Sequence, residues 1–166
     1  TGNDHISNNA IFFLLRQKPP NLFFKKPKFE PRLVKLDALT IKNYYHSKGF
    51  LDVKIKESFK TSLGYTDINF EINEGKQYFL SDIQINGNEI IPDDEIFRLL
   101  GLVKGEPYNP VGVNDNIYKI ENLYHDNAKL FFKIKSNDQI NDSVKVNIVL
   151  DEGNDVFIKD LFLEKN

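Results

Sequence analysis

The sequence predicts an α+β protein built from tandem copies of one β-α-α-β-β unit of about 75 residues. Three observations carry this. An ordered set of residues recurs at a near-constant offset, each copy alternates strand-like and helix-like periodicity in the same order, and turn residues punctuate both copies at matching places. Gly2-Asn3, Ile6, Ile11-Phe12 and Leu14-Leu15 return as Gly87-Asn88, Ile91, Ile96-Phe97 and Leu99-Leu100, an offset of 85 (87 − 2). Pro31, Val34, Ile41, Tyr45-His46 and Lys54-Ile55 return as Pro110, Val113, Ile120, Tyr124-His125 and Lys133-Ile134, an offset of 79 (110 − 31). The first copy therefore carries six extra residues in one loop (85 − 79). Ile68, Phe70, Ile72 and Glu74-Gly75 return as Val146, Ile148, Leu150 and Glu152-Gly153 at 78 (146 − 68). A partial third copy opens at the same offset, with Phe79, Asp82, Ile83 and Ile85 matching Phe157, Asp160, Leu161 and Leu163.

The second copy shows every element in order. Tyr78 to Ile85 is rich in β-forming residues and stops at Asn86-Gly87-Asn88, a strand running into a turn. Pro92 followed by Asp93, Asp94 and Glu95 opens a short helix, since proline fits the first turn and acids complement the N-terminal dipole. Its inner face is Ile96, Leu99 and Leu100, and Gly101 and Gly105 end it. A second helix starts at Pro110 after Asn109, with Val113, Ile117, Ile120, Leu123 and Tyr124 at helical spacing. Strands are expected at Leu130 to Ser136 and at Val144 to Leu150, joined by a turn over Asn137-Asp138 and Asn141-Asp142.

The first copy follows the same plan. Ser7 caps a helix with Ile11, Leu14 and Leu15 inward. A second helix presents Val34, Ala38, Ile41, Tyr44 and Tyr45, and Gly49 ends it. Strands are expected at Leu51 to Phe59 and Thr66 to Ile72. The first strand of this copy is expected upstream of Thr1. The domains expected are residues 1–75, lacking that strand, a complete copy at 76–153, and the first strand of a following copy at 154–166.

Composition narrows the functional classes. Hydrophobic residues make up 40% and charged residues 28%, ordinary for a globular protein. A net charge of −2 gives no global field toward nucleic acid or anionic lipid. No apolar run approaches the roughly 20 residues of a spanning helix. The absence of cysteine excludes disulfides, thiolate metal sites and a cysteine nucleophile. No phosphate loop, nucleophile elbow or paired-histidine motif is present, no cofactor is expected, and the carboxylates sit at helix starts and turns. Catalysis has no foothold in the sequence, and no enzyme is expected.

These residues resemble the POTRA family, in which a β-α-α-β-β unit runs from its first strand into Gly-Asn and ends on Glu-Gly. The long loop, Leu36-Asp37, Tyr44-Tyr45 and Gly49-Phe50 are similar to the third repeat of BamA-type outer-membrane assembly proteins. Glu74-Gly75-Lys76-Gln77-Tyr78, Gly87-Asn88 and Gly105-Glu106-Pro107-Tyr108-Asn109 are similar to the fourth. Residues from Asp155 onward resemble the first strand of the fifth. Two departures stand out: Ala128-Lys129 replaces the Gly49-Phe50 pair, and Lys165-Asn166 stands where Gly-Asn is expected.

The resemblance implies a three-stranded mixed sheet packed on two helices in each unit and a place in the periplasm, at the outer membrane's inner face. The membrane is reached only through a barrel outside this chain. Implied partners are unfolded outer-membrane proteins, accessory assembly lipoproteins and periplasmic chaperones, with no nucleic acid. Two other homes are open: the POTRA arm of a related translocation-and-assembly or two-partner secretion transporter, and a structural interaction module of the kind found in division proteins.

Several residues are singled out. The strand after each second helix should form a sheet edge able to pair with an incoming extended segment, through Val53, Lys54, Ile55 and Lys56 and through Phe131, Phe132, Lys133 and Ile134. The opposing reading gives the lysines the task of blunting those edges against aggregation. Leu22, Phe23 and Phe24 could serve as a partner-docking knob or fold back to complete a thin core, the latter being favoured for so small a unit. Glu74-Gly75 and Glu152-Gly153 are read as an inter-domain hinge. His46 and His125, at the end of each second helix, are read as interacting with its dipole, since one histidine per copy makes no metal site.

Overall fold

The computed structural model describes residues 1–20 and 28–163. Leu22, Phe23 and Phe24 lie outside the described residues. The chain divides into two compact units, Thr1–Tyr78 with Pro107–Val111, and Phe79–Glu106 with Gly112 onward.

The first unit contains α1 (Asn8–Leu14), α2 (Pro31–His46), β1 (Lys54–Ser62) and β2 (Tyr65–Asn73). Ser7 caps α1 as expected, its hydroxyl accepting from the Ala10 amide at 3.2 Å. α2 buries Val34, Ala38, Ile41 and Tyr45, the helical stripe read from the sequence. It also buries Asp37 completely, whose carboxylate accepts from the Arg16 and Gln17 amides at 2.8 and 3.0 Å. That carboxylate anchors the chain leaving α1, and burying it is tolerable because both oxygens are bonded. β1 and β2 form an antiparallel hairpin from Lys54↔Asn73 to Ser62↔Tyr65. On the other side of β2, Thr1 bonds in parallel fashion. Its carbonyl accepts from the Ile72 amide at 2.9 Å and its amino group donates to Phe70 O at 3.0 Å.

The second unit contains β3 (Leu80–Asn86), α3 (Asp93–Leu100), α4 (Pro110–Asp126), β4 (Lys133–Ile140) and β5 (Val144–Asp151). Its sheet has order β3-β5-β4, with β3 parallel and β4 antiparallel to β5. The mixed three-stranded sheet is the one expected. Alternate residues Val144, Val146, Ile148 and Leu150 of the central strand are buried, together with Ile96 and Leu100 of α3 and Val113, Ile120 and Tyr124 of α4. α3 starts behind Pro92 with three acids in its first turn and stops at Gly101, whose φ is 68°.

The structure moves several boundaries. β1 and β4 begin at Lys54 and Lys133, so Val53, Phe131 and Phe132 precede the strands. Val53 and Phe132 are instead plugs in the core. Asn137 and Asp138 lie within β4, paired with Asn147 and Val146, and the turn is at residues 141–143. Turn-forming residues were overridden there because the ladder to β5 continues to Ile140↔Val144. Residues 154–163 carry no regular element.

Candidate strand-addition edges and the buried carboxylates

In the second unit β4 is an outer strand, bonded to β5 on one side only among the described residues. β1 holds the same place in the first unit, bonded among the described residues only to β2. Lys54 and Lys56 are exposed and alternate with half-buried Ile55 and Glu57, while Lys133 and Lys135 are exposed and flank half-buried Ile134. These lysines therefore stand on the solvent face of each sheet. Side chains leave a sheet roughly perpendicular to it, so the outward backbone N–H and C=O groups in its plane stay reachable.

The two Glu-Gly pairs have a role that the sequence reading missed. Glu74 is buried, and its Oε1 accepts from the Tyr45 hydroxyl at 2.8 Å and the His5 amide at 3.1 Å. Its Oε2 lies 2.6 Å from His5 Nδ1. Burial opposes the Glu74 charge, but the hydrogen bonds from the His5 ring, Tyr45 and the His5 amide outweigh it and hold the carboxyl below the usual range. Burial and the neighbouring Glu74 push the Tyr45 phenol well up.

Glu152 is buried in the same way, its Oε1 accepting from the Glu89 and Ile90 amides at 2.6 and 3.1 Å. Here Ile90 takes the place of His5. The Tyr124 phenol is pushed up by burial and by the Glu152 charge beside it, yet its hydroxyl and Glu152 Oε2 have no partner in bonding geometry. The geometry rather than the proximity decides, so the network is complete in the first unit and half made in the second. Glu74 thus clamps the start of the first unit to α2, while Glu152 holds the start of the second unit through the Glu89 and Ile90 amides. A Cβ added at Gly75 or Gly153, which follow, would lie 3.1 Å from the Cβ of Asp52 or Phe131 in the same unit.

The turn at the start of each unit repeats atom for atom. Asn3 Nδ2 donates to Ile6 O at 2.8 Å, and Asn88 Nδ2 to Ile91 O at 2.9 Å. Gly2 and Gly87 hold φ of 80° and 89° and press on the central strand, so that an added Cβ would lie 2.1 Å from Ile72 O or Leu150 O. Only glycine fits there.

The Ala128-Lys129 departure has a packing counterpart. Phe50 is buried edge-on to Tyr45, with centroids 5.7 Å apart. In the second unit the aromatic moves three residues along: Phe132 stacks on Tyr124 at 4.0 Å, and Lys129 pairs with Asp155 at 2.8 Å. Ala128 keeps the left-handed φ, 64°, that Gly49 adopts at 84°.

His46 closes α2, and burial together with nearby Lys42 lowers its pKa, favouring the neutral ring. His125 sits in the last turn of α4 and is exposed. Among the described residues no group of three or more His, Cys, Asp or Glu could hold a metal ion, and no helix is long and apolar enough to cross a membrane.

A groove of about 720 Å³ runs along β2 in the first unit, lined by Phe12, Leu15, Phe29, Tyr65, Ile68 and Phe70 among others. Sequence reading had no signal for it.

The POTRA family model, described as a surface antigen variable number repeat, matches residues 78–153. The outer membrane protein assembly factor BamA of Buchnera aphidicola subsp. Acyrthosiphon pisum is 24% identical over 147 residues, covering 85% of this chain and 24% of that protein. The factor of the same name from Neisseria meningitidis serogroup B is 26% identical over 108 residues, covering 59% of this chain and 14% of that protein. The chain spans a quarter or less of these relatives. The crystal structure of Haemophilus influenzae BamA POTRA3-5 superimposes with a TM-score of 0.65 at 21% identity, covering 93% of this chain and 64% of that one.

Proposed function

We infer that this chain, a BamA-type fragment whose residues 78–153 are a POTRA domain, works as a periplasmic client-binding arm of an outer-membrane β-barrel assembly protein. It binds unfolded outer-membrane proteins by strand addition along β1 and β4, and accessory lipoproteins dock on it. Leu22, Phe23 and Phe24 are the candidate contact for those lipoproteins, and Gly75 and Gly153 the candidate hinge positions. The arm binds and does no chemistry.

One observation carries the reading. β1 and β4 each ladder to one neighbouring strand only among the described residues, with their lysines turned to the sheet face. Backbone pairing is sequence-tolerant, which suits a handler of many barrel precursors that share only an extended, alternating strand pattern. The lysines oppose uncontrolled sheet growth without closing the edge to a single incoming strand.

The test is an NMR titration of the chain with an unfolded barrel-strand peptide. Amide shifts concentrated in Lys54–Ser62 or Lys133–Ile140 are expected. Saturating peptide that leaves both strands unshifted refutes strand addition there.

A further inference from the structure

The β1 and β4 edges share a backbone plan but not a charge. With histidine neutral, α2 carries Arg32, Lys35 and Lys42 against one acid, the buried and fully bonded Asp37, a net charge of +2 (3 − 1). Its counterpart α4 carries Lys119 against Asp115, Glu121 and Asp126, a net charge of −2 (1 − 3). The strands add to the contrast in the same direction: β1 has Lys54, Lys56 and Lys60 against Glu57, and β4 has Lys133 and Lys135 against Asp138. One position carries an outright reversal, since Lys42 becomes Glu121 at the offset of 79 (121 − 42).

Lys42 stands in a groove between α2 and β1. Two clefts of about 380 and 590 Å³ adjoin there, sharing Lys42, Val53 and Lys54. The smaller is walled by Ala38, Leu39 and Ile55, with Leu39 half exposed although apolar. The larger runs on past Asp52, the one acid lining either cleft, which accepts from the Tyr78 hydroxyl at 2.6 Å. Lys42 itself is exposed and in no ion pair among the described residues. Its charge reaches the neighbouring His46, whose ring it helps to keep neutral.

An extended segment laid along the outer edge of β1 points every second side chain into this groove. The side chain beside Ile55 meets Ala38 and Leu39, and the next on that face, beside Val53, meets Lys42. In the other direction the next neighbour on that face is the half-buried Glu57, so a carboxylate has one end of the groove to go to. We propose that the β1 edge prefers extended client segments in which a carboxylate side chain stands two residues from an apolar one. The apolar side chain seats against Leu39 and Ile55, and the carboxylate pairs with Lys42. The β4 edge lacks this preference, because Glu121 takes the place of Lys42 and repels the same carboxylate. The proposal rests on strand addition at both edges and adds the chemistry that tells them apart.

The test is an NMR titration of the 166-residue chain with two short peptides that differ at one residue. In both, valine and threonine alternate around a central leucine, and the residue two positions on is glutamate in one and glutamine in the other. At low salt the glutamate peptide should bind about two- to fivefold tighter at Lys54–Ser62, with the gap closing as salt is added. No such advantage is expected at Lys133–Ile140. Lys42→Gln should remove the difference at β1 and leave the unit folded, since the side chain is exposed. Glu121→Lys should create one at β4. Equal binding of the two peptides at β1, or a difference that survives Lys42→Gln, overturns the proposal and leaves strand addition standing. Shifts at Leu39 and Lys42 with β1 unmoved, or no shift at either strand with either peptide, overturn both.

Discussion

The buried Glu74 offers the sharpest test of what holds the first unit together. Replacing it with alanine strips the acceptor from the Tyr45 hydroxyl, which is fully buried, and from the His5 amide, which sits nearer solvent. Water rehydrates the His5 groups, so the main loss is one charge-assisted bond plus a stranded phenol. A hydrogen bond to a charged group contributes about 1.5–3 kcal/mol, and an unsatisfied buried group costs about 1–3 kcal/mol. The expected destabilisation is therefore about 2.5–6 kcal/mol, borne by the first unit. Tyr45→Phe in the wild-type background loses the same bond from the other end but leaves the carboxylate bonded to the His5 ring and amide, and should cost about 1.5–3 kcal/mol. The double variant should then be milder than the sum by at least about 1 kcal/mol, since removing both partners leaves nothing unpaired. Hydrogen exchange of β2 amides reads the first unit separately from the second, which avoids assuming one transition for the whole chain. If Glu74→Ala changes β2 protection by less than about 0.5 kcal/mol, or if the two substitutions add without coupling, the clamp is not a stabilising element.

Two further outcomes follow from the same geometry. Because Glu74 titrates below its unfolded value, its contribution is fully present above about pH 4.3 and is lost as pH falls through the lower folded value. The β2 amides should lose protection on acidification in that window, and Glu74→Gln should flatten the dependence. Ala128→Gly relieves a left-handed residue, a gain of about 1–2 kcal/mol reduced by the greater freedom of glycine in the unfolded chain. A net stabilisation of about 0.5–1 kcal/mol in the second unit is expected from urea titration, and a destabilised variant would show that the methyl packs usefully.

The order of elements, the inward faces of the helices and the duplication were all legible because they rest on local periodicity and on turn residues. Ser7, Pro92, Gly101, Val113 and Tyr124 do what their spacing predicts. The outer positions of β1 and β4 were legible too, once the strand order was known from the resemblance. What escaped were features made by partners far apart in sequence. Glu74 looked like a residue of a turn, yet it is buried because His5 and Tyr45 reach it across 69 and 29 positions. Asp37 sits on a helical stripe where a polar residue looks solvent-facing, and only the amides of Arg16 and Gln17 explain its burial. Asn137 and Asp138 read as a turn, but pairing to β5 held them in a strand. The exchange of Phe50 for Phe132 across the two tyrosines looks in sequence like a defect at Lys129 and in space like a conserved ring. Sequence by itself determined the repeating order of strands and helices, because periodicity is local. Tertiary structure alone decided which polar groups could be buried, because each needs a partner that only the folded chain brings within bonding distance.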